Sequence, residues 1–399
     1  MVLLNEEEKT FLQIHITDDP ATLLLRNRTF APERMKYLAA QLTARKKART
    51  KLPTWYAHPD VVFPPPVSVE QASSERTAAY KADLLAPPGT AGVVADLTGG
   101  MGVDTLAFAR YAERAIYLEQ QPHLAELAAH NLPLLGARNL EIRAENGVSF
   151  LRETAAPIDW VYLDPARRDE RGGKLVRLED CEPAVSDWLP LLPKARHALI
   201  KTSPLIDIEA ALRTLDKVAE LHVVSVDNDC KEVLFLIHQD KEPTEVQVTA
   251  VNLKSNGEDE LFRFLRSEEK KVDVAFGPPE RYLFEPNASL LKAGAFRVLA
   301  ARYGLRKLAA NSHLYTSSTL PDHFPGRSFE ILDVVRPDRK AVQAALPERR
   351  ASLTVRNFPE TADGLRKKLG LADGGDHYLF ATTLQDGSRP LIITRKPFR

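Results

Sequence analysis

The residues Asp96-Leu97-Thr98-Gly99-Gly100-Met101-Gly102 put a carboxylate in front of three glycines, between an apolar run (Val93-Val94-Ala95) and a helical pattern. Glycines let the backbone turn sharply and approach a ligand closely. Asp104 follows one turn later. Glu119 and Gln120 come about 20 residues past the glycines, the distance at which an acid can take hydrogen bonds from both hydroxyls of a ribose. Glu145 and Asn146 follow a third apolar run, within reach of an adenine amine. The charge of Asp96 argues against a dinucleotide, because it would repel a pyrophosphate. It favours a ligand carrying ammonium and sulfonium groups, as S-adenosylmethionine (SAM) does.

A second group, Asp164-Pro165-Ala166-Arg167-Arg168, ends a fourth apolar run. It resembles the Asp/Asn-Pro-Pro-aromatic motif of enzymes that methylate exocyclic amines, and the resemblance implies that the Asp164 carboxylate and a backbone carbonyl accept the amine's hydrogens and so aim the nitrogen lone pair, a catalytic contribution made by positioning. Arg167 can stack through its guanidinium plane or grip a phosphate. Asp164, Pro165 and Arg167 are therefore the candidate catalytic residues. Lys201-Thr202-Ser203-Pro204 and Asp227-Asn228-Asp229-Cys230-Lys231-Glu232 are candidates to wall the same pocket, and Tyr80-Lys81 to cover the cofactor.

The elements that must position these residues alternate between strand and helix. Strand patterns fall at Val93–Ala95, Ala115–Leu118, Leu140–Arg143, Trp160–Leu163 and Ala198–Lys201, with helices at Val103–Tyr111, Pro122–Leu135, Val148–Glu153 and Ile208–Leu215. Such alternation predicts a parallel sheet covered on both faces. Leu221–Val226 and Val233–His238 close it as a pair. Upstream, apolar spacing predicts helices over the first 60 residues. The Pro64-Pro65-Pro66 run ends that region, and a helix is expected at Val69–Leu85. Downstream, Val246–Leu253 reads as a strand, Tyr282–Phe329 as a helix (Ala288–Tyr303) among loops, and residues 336–399 as strand, helix, strand, strand.

The 399 residues exceed one ordinary domain, and 44% hydrophobic with 27% charged residues is a globular profile. Two cysteines without CxxC or Cys/His spacing indicate neither a disulfide framework nor a zinc site, and no metal is expected. The acidic N-terminus does not read as a secretory signal, and no apolar run has the length of a membrane span. The expectation is a cytoplasmic protein. Net charge is zero, yet residues 26–51 carry nine Lys/Arg against Glu33 alone, and residues 336–399 carry thirteen basic against seven acidic residues. Such patches suit a phosphate backbone, although a charge run is more often a solvated helix face.

Asp96–Asp104 followed by Glu119 resembles the first two motifs of class I SAM-dependent methyltransferases. The resemblance implies that Asp96, Gly99, Gly100 and Gly102 line the methionine moiety, that Glu119 holds the ribose, and that Glu145 with Asn146 holds the adenine. In Asp164-Pro165-Ala166-Arg167, Ala166 and Arg167 replace the second proline and the aromatic of the amine-methylating motif.

Further motifs are similar to a bacterial group of class I methyltransferases with a THUMP-like C-terminal domain. They are Ser73-Ser74-Glu75, Tyr80-Lys81-Ala82, Ser203-Pro204 with Asp207, Glu285-Pro286-Asn287-Ala288, Lys292-Ala293-Gly294-Ala295-Phe296, the stretch Asn311-Ser312-His313-Leu314-Tyr315-Thr316-Ser317, and Phe324-Pro325-Gly326-Arg327. A weaker likeness is to trimethylguanosine synthase and related guanine-N2 enzymes.

The implied architecture is α/β. It has an N-terminal helical region (1–68), a Rossmann-like methyltransferase domain (69–240), a ferredoxin-like module (241–325) and a THUMP-like domain (326–399). Since THUMP domains bind RNA in several tRNA- and rRNA-modifying enzymes, the implied activity is methylation of tRNA or rRNA at a base amine. The alternatives are a non-catalytic RNA-binding protein of the same fold, or a methyltransferase for a small molecule or protein.

Overall fold

Asp96, Glu119 and Asp164 come together because of the order in which the strands pair. In the computed structural model, which describes residues 3–26, 29–87, 89–167, 177–240 and 244–397, the chain divides into two units. The first comprises Met1–Ala219 with Glu232–Pro243, and the second Glu220–Lys231 with Thr244–Arg399.

The first unit opens with helices α1 (Glu6–Ile14), α2 (Pro20–Arg26), α3 (Pro32–Lys51), α4 (Pro53–Ala57), α5 (Pro66–Gln71) and α6 (Glu75–Asp83). The α3 helix buries Met35, Leu38, Leu42, Ala44 and Ala48. Its basic run is largely consumed by local structure. Arg34 pairs with the buried Glu8, and Lys36 with Glu33. Arg45 donates to the Pro59 and Val61 carbonyls at 3.0 and 2.7 Å, Lys46 donates to the Thr17 and Asp18 carbonyls, and Lys47 pairs with Glu70. Arg45 and Lys46 tie loops to the helix, Arg34 and Lys47 tie it to α1 and α5, and Lys36 pairs along its own exposed face, which is the bland reading of a charge run.

One helix was expected at Val69–Leu85, but two short ones form. Ser74 starts α6 as its cap: its hydroxyl accepts from the Thr77 amide at 3.1 Å, and its own amide donates to Thr77 Oγ1. That reciprocal cap satisfies donors a continuous helix would leave to its preceding turn.

The sheet follows: β1 (Val93–Asp96), α7 (Val103–Ala109), β2 (Arg114–Leu118), α8 (Pro122–Leu134), β3 (Leu140–Arg143), α9 (Gly147–Glu153) and β4 (Ile158–Leu163). Then come the two-residue strands β5 (Ala166–Arg167) and β6 (Cys181–Glu182), α10 (Val185–Trp188), β7 (Ala195–Thr202), α11 (Ile208–Leu215), β8 (Val218–Val226) and β9 (Asp229–His238). Strands β7-β4-β1-β2-β3 are parallel neighbours, and β9 runs antiparallel beside β7. Burial on both faces explains why β1 and β4 read as unbroken apolar runs. After β1 the chain winds outward through β2 and β3, then returns to β4 on the other side of β1. That reversal opens a crevice at the carboxyl ends of β1 and β4, where open α/β sheets bind ligands.

In the second unit β8 pairs in parallel with β10 (Gln247–Leu253), which pairs antiparallel with β11 (Glu260–Leu265). The chain continues through α12 (Arg266–Lys271), β12 (Tyr282–Pro286), α13 (Ala288–Ala293), α14 (Arg297–Arg302), β13 (Arg306–Lys307), β14 (Tyr315–Ser317) and β15 (Gly326–Val335). It ends with α15 (Arg339–Ala345), β16 (Ser352–Arg356), α16 (Ala362–Leu369), β17 (His377–Thr382) and β18 (Leu391–Arg395). The last seven strands form one sheet in the order β13-β14-β12-β15-β18-β17-β16. Its core includes Leu283, Phe329, Phe380 and Ile392.

Tyr282–Phe329 thus holds four strands where loops were expected. The expected Ala288–Tyr303 helix is broken at Gly294, which caps α13 at φ 74°. A left-handed residue ends an α-helix, and glycine adopts it without penalty. Among the described residues no helix is long and apolar enough to cross a membrane.

Candidate cofactor and acceptor site

All but one of the expected cofactor residues line one cavity of about 310 Å³ at that crevice. Asp96, Thr98, Gly99, Gly100, Gly102, Asp104, Glu119, Gln120 and Asn146 all line it, and so does Asp164. Glu145 is not among the lining residues. Its carboxylate lies 3.6 Å from the Arg143 guanidinium. Pro165 is buried beside the cavity without lining it, and Arg167 is placed only as backbone in β5, which pairs with β6. Arg168 lies outside the described residues.

Each turn residue has a physical reason. Asp96 is 1% exposed. It accepts from the Thr98 amide at 3.1 Å and from the Thr105 hydroxyl at 2.5 Å. Burial pushes its carboxyl up to about 7, against the pull of those two hydrogen bonds and with help from the neighbouring charge of Asp104. The Glu119 carboxylate accepts from the Gly100 amide (2.9 Å) and the Gln121 amide (2.8 Å), so it shapes the turn while keeping spare lone pairs on both oxygens. The Tyr117 ring packs against Gly99, and its hydroxyl donates to the Gly100 carbonyl at 2.6 Å. A Cβ at position 99 would sit 2.3 Å from that ring, so only glycine fits. Gly147 is equally constrained, since its Cβ would meet the Leu97 carbonyl at 2.2 Å. Asn146 caps α9, accepting from Val148 and Ser149, and its amide group donates to Gln120 at 3.2 Å.

At the acceptor end, the Asp164 amide donates to Thr98 Oγ1 at 2.8 Å, which ties the end of β4 to the cofactor turn. Lys201 Nζ pairs with Asp164 Oδ2. Ser68, Gln71, Ser73, Glu182 and Pro183 also line the cavity. None was a site candidate from sequence: Ser73 stands in the Ser73-Ser74-Glu75 motif without an assigned role, and the others carry no local signal that would have found them.

Beneath the cavity lies a buried charge cluster. Lys81, fully buried, reaches both oxygens of Glu232 at 2.8 and 2.7 Å and lies 3.2 Å from Asp104 Oδ1. Asp104 Oδ2 accepts from Ser73 and Tyr162, each at 2.8 Å. Burial raises the Asp104 carboxyl, but Lys81, Lys201 and these hydroxyls outweigh it and hold the group below its ordinary range. Lys81 therefore does not cover the cofactor. A buried ammonium needs carboxylates around it, and these lie beneath the turn. Glu232 likewise anchors Lys81 and does not wall the pocket.

The arrangement suits a cation with ribose and adenine parts. Asp96 supplies buried negative charge, the glycine turn permits close backbone approach, and Glu119 sits beside it. The residues present thus fit SAM.

Comparisons with known proteins agree. Residues 282–325 match a ferredoxin-like domain family, and residues 326–396 match a family described as THUMP domain-like. An uncharacterised SAM-dependent methyltransferase of Mycobacterium tuberculosis, known from two strains, is 26% identical over 340 residues, covering 82% of this chain and 83% of that protein. A protein of Porphyromonas gingivalis W83, crystallised and assigned as a methyltransferase, is 32% identical with a TM-score of 0.85, covering 100% of both chains.

Proposed function

Because the chain belongs to the SAM-dependent methyltransferases that carry ferredoxin-like and THUMP-like C-terminal modules, we propose that its acceptor is RNA, a tRNA or an rRNA, methylated at the exocyclic amine of a base. The cofactor is SAM. When bound, it supplies a methyl group activated by attachment to a sulfonium.

The observation that carries the acceptor reading is Asp164. It ends β4 in the cavity that the cofactor turn lines, its amide bonds to Thr98, and Lys201 holds one of its carboxylate oxygens. Its remaining oxygen accepts an N–H of the acceptor amine, which turns the nitrogen lone pair toward the cofactor turn. The work is positioning. Asp96 holds the cationic end of the cofactor and Glu119 the ribose. Asn146 and Gln120 border the adenine end, as residues 119–121 and 146–148 line one stretch of the cavity. The RNA part of the proposal is supported by the THUMP-like match and by the basic excess of residues 336–399.

The test is transfer of labelled methyl from SAM to total RNA. RNA from a strain lacking the enzyme should accept label and wild-type RNA should not, with mass spectrometry of nucleosides identifying the base. No transfer to any RNA fraction would reject RNA as the acceptor. Asp164→Asn should then abolish most turnover with SAM binding kept.

A further inference from the structure

Lys201 is the last lysine one would place in a core. It sits near the end of β7, whose preceding residues Ala198, Leu199 and Ile200 are completely buried. The register Leu163↔Ile200 between parallel neighbours sets Lys201 beside Asp164, one residue further along each strand. Its side chain is 12% exposed and is not part of the cavity wall, so it approaches Asp164 from behind. Asp164 is 33% exposed and faces the cavity. Burying an ammonium is costly unless carboxylates surround it. Lys201 has three in range: burial alone would lower its basicity, but Asp164, Glu232 and Asp104 reverse that and raise it above its ordinary value. Glu232 and Asp104 are themselves held by Lys81. Charges of alternating sign therefore run beneath the whole site, from Asp104 under the cofactor turn, through Lys81 and Glu232, to Lys201 and Asp164 at the acceptor end.

We propose that Lys201 is a positioning residue for methyl transfer: braced by Glu232, Lys81 and Asp104, it clamps one oxygen of Asp164 so that the other is presented to the acceptor amine in a single orientation. The role rests on the reading of Asp164 given above. Two features separate it from simple core packing. The lysine bonds to Asp164, which lines the cavity, and not to Glu232, a fully buried carboxylate outside the lining that also lies in range. In addition, the Asp164 backbone is already fixed through Thr98, so the lysine's remaining effect is on the side-chain torsions. With Oδ2 engaged by Lys201, Oδ1 is the Asp164 oxygen left with both lone pairs for the amine. Glu182, Gln71, Ser68 and Ser73 also line the cavity and offer acceptors for the second N–H of a primary amine.

The experiment compares Lys201→Met, Lys201→Arg, Asp164→Asn and the Asp164→Asn/Lys201→Met double variant. The substrate is total RNA from a strain lacking the enzyme, with labelled SAM. Lys201→Met should lower kcat at least about 30-fold while KM for RNA and Kd for SAM stay within about twofold, the pattern of an interaction needed mainly in the transition state. Lys201→Arg, which keeps the cation, should recover to within about fivefold of wild type. The double variant should be no slower than Asp164→Asn alone, since residues acting as one unit are not additive.

Multiplied losses in the double variant, or a loss that follows SAM affinity and melting temperature, would reduce Lys201 to a structural role. An inert Asp164→Asn beside a fully active Lys201→Met would overturn the lysine's role alone. An active Asp164→Asn would overturn the reading of Asp164 and this one with it. A crystal structure of Lys201→Met needs no acceptor: the Asp164 carboxylate should leave its place, and one that stays within about 0.5 Å of it refutes the clamp.

Discussion

Asp96 gives the most direct test of the cofactor site, because its burial predicts two effects of opposite sign. Removal from water lifts its carboxyl from the usual 3.8 to about 7. In the free protein Asp96 therefore takes up a proton near neutrality that the unfolded chain releases near pH 4. The sign follows from linkage: the folded state binds more protons between those values, so the free protein gains stability as pH falls through 7 and loses it as pH rises. At 1.36 kcal/mol per pH unit, the ionised group costs the free protein up to about 4 kcal/mol.

A bound cation reverses the preference, since SAM binds the ionised form. Apparent Kd then scales inversely with the ionised fraction and should weaken roughly 25-fold between pH 7.5 and 5.5, with proton release on binding at the lower pH. Calorimetry in buffers of different ionisation enthalpy measures both quantities. Asp96→Asn should remove the pH dependence, weaken binding at least about 100-fold at pH 7.5, and yet raise the melting temperature of the free protein at pH 8 by several degrees. The asparagine can retain both partners: its carbonyl accepts from the Thr98 amide, and the Thr105 hydroxyl can turn to accept from its amide group. A pH-independent wild-type Kd, or a free Asp96→Asn protein less stable than wild type at pH 8, would refute the reasoning.

Three other outcomes follow from the geometry. Gly99→Ala should abolish SAM binding because its Cβ would overlap the Tyr117 ring at 2.3 Å. Gly100→Ala meets nothing nearer than 3.8 Å, and should cost only about 1 kcal/mol for its φ of 53° while still binding; calorimetry and thermal melts separate the two. Lys81→Met should destabilise the protein by about 3–5 kcal/mol in a denaturant titration, because it leaves Glu232 and Asp104 buried without their cation. Glu145→Ala should leave Kd for SAM within about twofold, since that side chain lies outside the cavity lining and pairs with Arg143.

Residues whose roles depend on neighbours in the chain could be read from sequence. The runs Leu140–Arg143, Ala362–Leu369 and Leu391–Thr394 appear as strand, helix and strand at nearly those bounds, because periodicity and a following turn decide them locally. The turn from Asp96 to Gly102 could be read for the same reason: acid, glycines and flanking apolar run are contiguous. Legibility failed wherever the deciding partner is distant. Two of the strands β12 to β15 have only two or three residues, and β12 finds its partners β14 and β15 between 31 and 48 residues away, so pairing carries more of the signal than composition. The basic run of α3 looked like a free surface because sequence does not show the carbonyls of residues 17, 18, 59 and 61 waiting at the ends of its lysines and arginines. Gly147 reads as an ordinary helix-start residue, and only the Leu97 carbonyl beside it explains why it has no side chain.

The buried cluster was hidden for the same reason, since Lys81, Asp104, Lys201 and Glu232 are scattered over some 150 residues and each alone resembles a surface charge. Two of them nevertheless carry a readable anomaly. Lys201 follows three apolar residues of a strand buried on both faces, and Glu232 precedes Val233–Ile237, a stretch that is entirely buried. A charge at the border of such a run must either reach solvent or meet an opposite charge. Here the borders of β7 and β9 are adjacent, so pairing is the available solution. The cluster also leaves carboxylates in excess near the cavity, since Asp96, Asp104, Asp164 and Glu232 stand against only two ammonium groups, Lys81 and Lys201. Two full ion pairs account for the lysines, and the remaining negative charge is left for a ligand. Substituting hydrophobic residues for the whole cluster would relieve a desolvation cost, as buried pairs replaced by packed apolar side chains often do. It would also remove the field that favours a cation beside Asp96 and the clamp on Asp164, so the stability given up in this core is accounted for by the site above it.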